Sequence, residues 1–127
     1  MPHFVIECSE NILEMSNAQE IMEVVYTKAE ATGLFAKNDI KARIYPTTHY
    51  KLAETKDNFL HVFGYIMEGR TQEQKAALSR SIVRSLNERL PGLSILSMSI
   101  TDFELATYCN KAMIDPANKT GDRHYGL

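Results

Sequence analysis

Long apolar runs are missing from this chain: none approaches the ~18 residues that a membrane-crossing helix needs. Residues 1–25 also lack the basic opening and small-residue cleavage site of a secretory leader, because Glu7, Glu10, Glu14 and Glu20 interrupt them. A cytoplasmic protein without a membrane partner is the resulting expectation. Cysteine is scarce: Cys8 and Cys109 stand alone, with no C-x-x-C pair, so neither a disulfide framework nor a redox motif is expected. An excess of one charge is absent too. With a formal net charge of −2, no basic run and no glycine-rich RNA motif, the chain is not expected to bind nucleic acid. His3, His49, His61 and His124 have neither H-x-x-x-H nor H-x-E spacing, and there is no glycine-rich phosphate loop, so neither a metal nor a nucleotide is expected.

What the chain does have is a pattern that occurs twice. Its 127 residues, 44% of them hydrophobic, suit one domain with a sizeable core. His3 to Cys8 is short and rich in β-forming residues. Asn17 to Ala31 has Ile21, Val25 and Ala29 at helical spacing, with Ser16 or Asn17 to cap its start and Gly33 its end. Ile40 to Tyr45 alternates as a strand, with Lys41, Arg43 and Tyr45 on the face opposite Ile40, Ala42 and Ile44, until Pro46 breaks the run. Residues 47–57 form a polar linker, with a small hairpin expected around Tyr50 and Leu52. Asn58 to Met67 then repeats the strand. Thr71 opens a helix through a capping box with Gln74, and Leu78, Ile82, Leu86 and Leu90 form its stripe before Pro91-Gly92 ends it. Leu93 to Thr101 is the fourth strand.

Gly33 and Gly92, which end the two helices, lie 59 positions apart, and the flanking strands keep nearly that offset. The expected fold is therefore α/β (α+β): a βαβ unit over residues 2–46, the linker, a second βαβ unit over 58–102, and a polar tail over 103–127, all in one domain. Right-handed crossovers put both helices on one face of a four-stranded sheet. The runs Phe4-Val5-Ile6 and Phe59 to Met67 are too continuously apolar for a sheet wet on its other face. A homo-oligomer packing sheet against sheet resolves this, and the tail is left either to cross to a neighbour or to move freely.

Pro2 follows Met1 directly and leads at once into the first strand. If Met1 is removed, the chain starts with a secondary amine. An α-amino group titrates near 7.7–8.0, about where burial or a nearby cation makes it a neutral base at physiological pH. A second-position proline in a chain that keeps its methionine is, by contrast, only a strand residue.

The segment Met67-Glu68-Gly69-Arg70-Thr71-Gln72-Glu73-Gln74-Lys75 resembles the strand-to-helix junction of the 4-oxalocrotonate tautomerase superfamily, with its Gly-Arg-Ser/Thr-x-Glu-Gln-Lys motif. The opening Pro2-His3-Phe4-Val5-Ile6-Glu7-Cys8-Ser9-Glu10-Asn11, together with Ala31-Thr32-Gly33-Leu34-Phe35, resembles the 5-carboxymethyl-2-hydroxymuconate isomerase family within it. The similarity spans roughly residues 2–105. It implies a homotrimer and a cofactor-free isomerase of aromatic-acid catabolism. In that chemistry an N-terminal proline moves a proton across a conjugated 2-hydroxy-diene carrying two or three carboxylates. Pro2 matches the catalytic proline, and Arg70 matches the arginine of the strand-to-helix turn. Where the family resembles Ile-Arg-Ser-Arg this chain reads Ile40-Lys41-Ala42-Arg43, so Arg43 and Lys41 are both candidates for the second cation. Lysine keeps the charge and loses the bidentate fork. Two other readings stand beside this one: a different superfamily enzyme, such as a phenylpyruvate-type keto–enol tautomerase or a decarboxylase, and a non-enzymatic oligomeric binding module.

Overall fold

A computed structural model describes residues 1–36 and 38–115. The elements are β1 (His3–Ser9), a 3-10 turn (Glu10–Glu14), α1 (Ala18–Ala31), β2 (Lys41–Thr47), β3 (Phe59–Met67), α2 (Gln72–Arg89), β4 (Ile95–Phe103) and a short α3 (Lys111–Ile114). The four strands form one sheet in the order β2-β1-β3-β4. β1 pairs parallel with β2, β3 parallel with β4, and the two leading strands pair antiparallel with each other. The halves are thus two βαβ units joined through their first strands, the duplication expected from the spacing.

Local chemistry accounts for the helix ends. Asn17 caps α1 by accepting from the backbone N–H of Glu20 at 2.8 Å, while Ser16 donates to the Glu20 carboxylate at 2.8 Å. α2 starts on a complete capping box: Gln74 N–H donates to Thr71 Oγ1 at 3.1 Å, and Thr71 N–H donates to Gln74 Oε1 at 2.9 Å. Such a cap stabilises a helix by about 1 kcal/mol. Past α1 the chain turns through Gly33 at φ +69°, where a β-carbon would strain the backbone.

Even-numbered strand residues face the helices. Phe4, Ile6, Cys8, Leu60 and Val62 pack with Ile21, Val25, Ala29, Leu78, Ile82, Leu86 and Leu90 in one core. Gly64 belongs to this layer because a β-carbon there would stand 3.1 Å from Met98 Cε and 3.4 Å from Phe4 Cε1. Burial pushes the Cys8 thiol up to about 11, so it is an inert core group.

Odd-numbered residues point to the opposite face. Along β3 the burial alternates, with Leu60, Val62 and Ile66 buried and Phe59, His61, Phe63 and Tyr65 half-buried. An aromatic row crosses this face: the rings of His61 and Phe63 are 4.3 Å apart, Phe63 and Tyr65 6.4 Å, and Tyr65 and Phe103 5.9 Å.

Three local expectations need correction. Pro46 does not break β2, which runs to Thr47. β2 is an edge strand, so a residue without an N–H can sit where that group would point away from the ladder. No hairpin forms around Tyr50 and Leu52: between β2 and β3 the chain makes bends and a turn closed by Lys56 N–H on Ala53 O at 2.9 Å, and Tyr50 sits edge-on to Phe59. The 3-10 turn after β1, which buries Ile12, has no counterpart in the expected pattern. Of the tail, residues 116–127, with His124, lie outside the described residues.

Candidate active site

The strand registers bring three parts of the chain to one end of the sheet. His3 stands opposite Lys41 on β2 and opposite Tyr65 on β3, so the chain start, the start of β2 and the end of β3 adjoin. Backbone hydrogen bonding carries this one residue further, because Lys41 N–H donates to Pro2 O at 3.1 Å. Phe35, from the loop after α1, packs edge-on against Phe4 with ring centroids 6.1 Å apart.

At this end the amino terminus is buried. Met1 is 2% exposed, and its ammonium lies 2.7 Å from Asp39 Oδ2 and donates to Asp39 O at 3.4 Å. The Asp39 side chain is itself only 8% exposed. Lys41 Nζ donates to Asp39 O at 2.6 Å and lies 3.4 Å from Oδ1. Burial pulls the terminal amine below its ordinary range, the Asp39 carboxylate opposes that, and Lys41 adds to the lowering.

The arginines stand on either side of this point. Arg70 Nη2 donates to Leu34 O at 2.6 Å and Nη1 to Met67 O at 3.2 Å, with the guanidinium over the Phe35 ring at 5.2 Å. These contacts hold Arg70 between the end of α1 and the turn after β3. Arg43 projects onto the open sheet face, where its Nη1 lies 3.1 Å from Nδ1 of His3. A guanidinium can only donate, so Nδ1 accepts from Arg43, and burial with the charges of Arg43 and Lys41 holds His3 below its usual value. Of the two candidates on β2, Lys41 is therefore the one gathered around the amino terminus, and Arg43 is one strand step away on the sheet surface.

Asp39 was not singled out by the sequence. It follows Asn38, whose φ of +66° makes a tight turn, and its N–H donates to Ala36 O at 3.1 Å. The Asn-Asp pair marks a turn, but a contact across 38 positions leaves no local signature. Two acidic side chains in the connections are structural ties: Glu68 Oε2 accepts from Leu105 N–H at 2.6 Å, and Asp57 Oδ1 accepts from Ser94 Oγ at 3.0 Å. His61 lies between Ser97 and Ser99, with Nδ1 2.6 Å and Nε2 2.9 Å from their hydroxyls. Among the described residues no three His, Cys, Asp or Glu side chains gather in a way that could hold a metal ion, and no helix is long and apolar enough to cross a membrane.

A buried amine, a carboxylate and three cations at or near one sheet end can move a proton on an anionic substrate and stabilise the negative charge that results. Comparison with known proteins agrees with that chemistry. The family model for 5-carboxymethyl-2-hydroxymuconate isomerase matches residues 2–116. The 5-carboxymethyl-2-hydroxymuconate Delta-isomerase of Escherichia coli is 24% identical over 107 residues, covering 83% of this chain and 85% of that protein. In fold, the chain is similar to the crystal structure of a 5-carboxymethyl-2-hydroxymuconate isomerase from Deinococcus radiodurans R1, with a TM-score of 0.77 at 22% identity over 98% of this chain and 92% of the other. It is also similar to a fused 4-OT wild-type symmetric trimer, with a TM-score of 0.71 at 14% identity over 86% and 93% of the two chains.

Proposed function

The chain belongs to the 5-carboxymethyl-2-hydroxymuconate isomerase family, and from that premise we propose that it converts this tricarboxylate to its 2-oxo-3-ene tautomer in the cytoplasm, using the amine of Pro2. The observation that carries the reading is the buried amino terminus, held beside Lys41 at the sheet end where the Arg70 turn also lies.

Removal of Met1 makes Pro2 nitrogen the terminal amine. In its neutral form it takes the proton of the substrate 2-hydroxyl, and the electron pair of that O–H bond forms the C2 carbonyl. The C2–C3 double bond moves to C3–C4, and the C4–C5 pair takes a proton back from the proline ammonium at C5. One proton leaves oxygen and one arrives at carbon. No electron is transferred to or from an external acceptor, so the chemistry calls for no cofactor. A catalytic amine works best when its pKa lies near the operating pH, which burial and neighbouring charges arrange.

The three substrate carboxylates and the oxyanion that develops at C2 need fixed cations, and Arg70, Arg43 and Lys41 supply them. Arg70 is preorganised by its two carbonyl contacts. We further propose a homotrimer assembled through the aromatic sheet face, supported by the half-buried row from Phe63 to Phe103 and by the likeness to a symmetric trimer.

The test is turnover of 5-carboxymethyl-2-hydroxymuconate by protein whose intact mass shows that Met1 is gone. Isomerisation abolished when Met1 is retained, and restored on its removal, supports proline chemistry. Equal turnover by both forms, or none by either, removes it.

A further inference from the structure

The Asp39 carboxylate is buried at the amino terminus, beyond the cations that the reaction calls for. Resting on the proline reading above, we propose that Asp39 is the counter-ion of the Pro2 amine in the processed chain, a positioning residue that holds this amine at the active end of the sheet.

Asp39 Oδ2 already lies 2.7 Å from the terminal nitrogen of the chain that carries Met1. Pro2 nitrogen is three covalent bonds from that atom, so the two nitrogens are at most about 3.7 Å apart. Pro2 does not depend on Met1 for its place, because its carbonyl accepts from Lys41 N–H at 3.1 Å and β1 is paired on both sides from His3 onward. Loss of a methionine that is only 2% exposed also opens space next to the new amine. A carboxylate 8% exposed is costly without a cation close by. Lys41 Nζ is 3.4 Å from the other carboxylate oxygen, but that side chain is 47% exposed and reaches the site from its rim. The new ammonium is the inner partner.

Among the described residues, the charged and titratable groups around this point are Asp39 and Lys41 at the entry to β2, His3 with its neighbour Arg43, Tyr65 opposite His3 on β3, and Arg70 at the turn after β3. Burial and Lys41 favour the neutral amine, and Asp39 favours the ammonium. Without Asp39 the amine is a weaker base toward the substrate proton. With it, the amine holds a proton long enough to return it to carbon.

The experiment uses protein beginning at Pro2, confirmed by intact mass and labelled with ¹⁵N-proline. The Pro2 amine is titrated by NMR in wild type and in Asp39→Asn, and kcat/KM is followed against pH in both. The expected result is a fall in the amine midpoint of about one unit or more, a tenfold loss of proton affinity, with the acidic limb of kcat/KM moving down alongside it. Asp39→Glu should restore most of the shift, which a merely structural role would not require. Asp39→Ser serves the same purpose as Asp39→Asn if the latter does not fold. An amine midpoint within about 0.3 units of wild type in a folded charge-removing variant overturns the proposal, whatever the activity. The proline reading fails separately: Pro2→Ala turning over substrate as fast as wild type sinks that reading and leaves the titration of Asp39 variants to stand or fall alone.

Discussion

Arg70 donates to the carbonyl oxygen of Leu34 at 2.6 Å, so a residue that opens the turn into α2 also closes the loop leaving α1. The cation proposed for the substrate is therefore a structural clamp between the two βαβ units. Arg70→Ala should lower stability by about 1.5–3 kcal/mol, the range for hydrogen bonds made by a charged group, and should lower kcat/KM by more than this destabilisation explains. Urea denaturation and steady-state kinetics on the same preparation separate the two effects. Arg70→Lys should recover little of either, since one ammonium cannot reproduce a fork spread over Leu34 and Met67. If Arg70→Ala loses stability while kcat/KM stays within twofold, the residue is a clamp only.

Pro2→Ala should reduce kcat by about 10²–10⁴-fold, the usual contribution of a positioned acid or base. Some turnover should survive, because alanine still offers a primary amine at the same place. Stopped-flow measurement of substrate disappearance resolves even the low end of this range.

The sheet face provides a test by pH. Burial holds His61 below its ordinary value near 6.5, so the folded state binds its proton less readily than the unfolded state does. Its contribution to stability is then complete above about pH 6.5 and is lost progressively as the pH falls from there toward its lower folded-state value. The proposed assembly through this face would deepen the burial and sharpen the effect. Glu7, paired with His61 across β1 and β3, works against the lowering, and Ser97 and Ser99 supply the ring's hydrogen bonds. Light scattering after size exclusion should give a trimer at pH 7.5 and dissociation toward pH 5, with His61→Gln flattening the dependence. A well-folded monomer at pH 7.5 and micromolar concentration would refute the assembly.

The fold was readable in the sequence wherever the determining contacts are local or periodic. The capping box of Thr71 and Gln74 and the stripe of Leu78, Ile82 and Leu86 lie within one helix, and the repeat follows from comparing the chain with itself. The continuous apolar run of β3 correctly signalled a sheet with two hydrophobic faces, one of which meets no α1 or α2 in the chain. What escaped depends on position in the sheet. Pro46 is tolerated because β2 lies at the edge, and strand order is not a local property. Asp39 meets the amino terminus because the chain start returns to it from 38 residues away, and Arg70 is held by a carbonyl 36 positions distant. A charge beside a turn looks the same in sequence whether it is solvated or buried.

Lys41 and Arg43 occupy alternate positions of one strand, and their surroundings predict different losses. Lys41 lies against Asp39 at the amino terminus, whereas Arg43 is hydrogen-bonded to His3 on the open face. Lys41→Ala should therefore cost about ten- to a hundredfold in kcat/KM, equivalent to one charge-assisted hydrogen bond, and Arg43→Ala should cost less. The form of the loss identifies the role: a raised KM with kcat unchanged marks a carboxylate bound equally in ground and transition states, and a lowered kcat marks charge that appears only during the reaction. Lys41→Arg should be tolerated or should improve turnover, since it adds the fork. Arg43→Ala carries an independent signature. Because the Arg43 charge helps hold the His3 imidazole below its usual value, its removal should let His3 titrate at higher pH, observable in the imidazole proton shifts. If Arg43→Ala proves the more damaging variant and His3 does not move, the second cation is Arg43 and it has left His3 to meet the substrate.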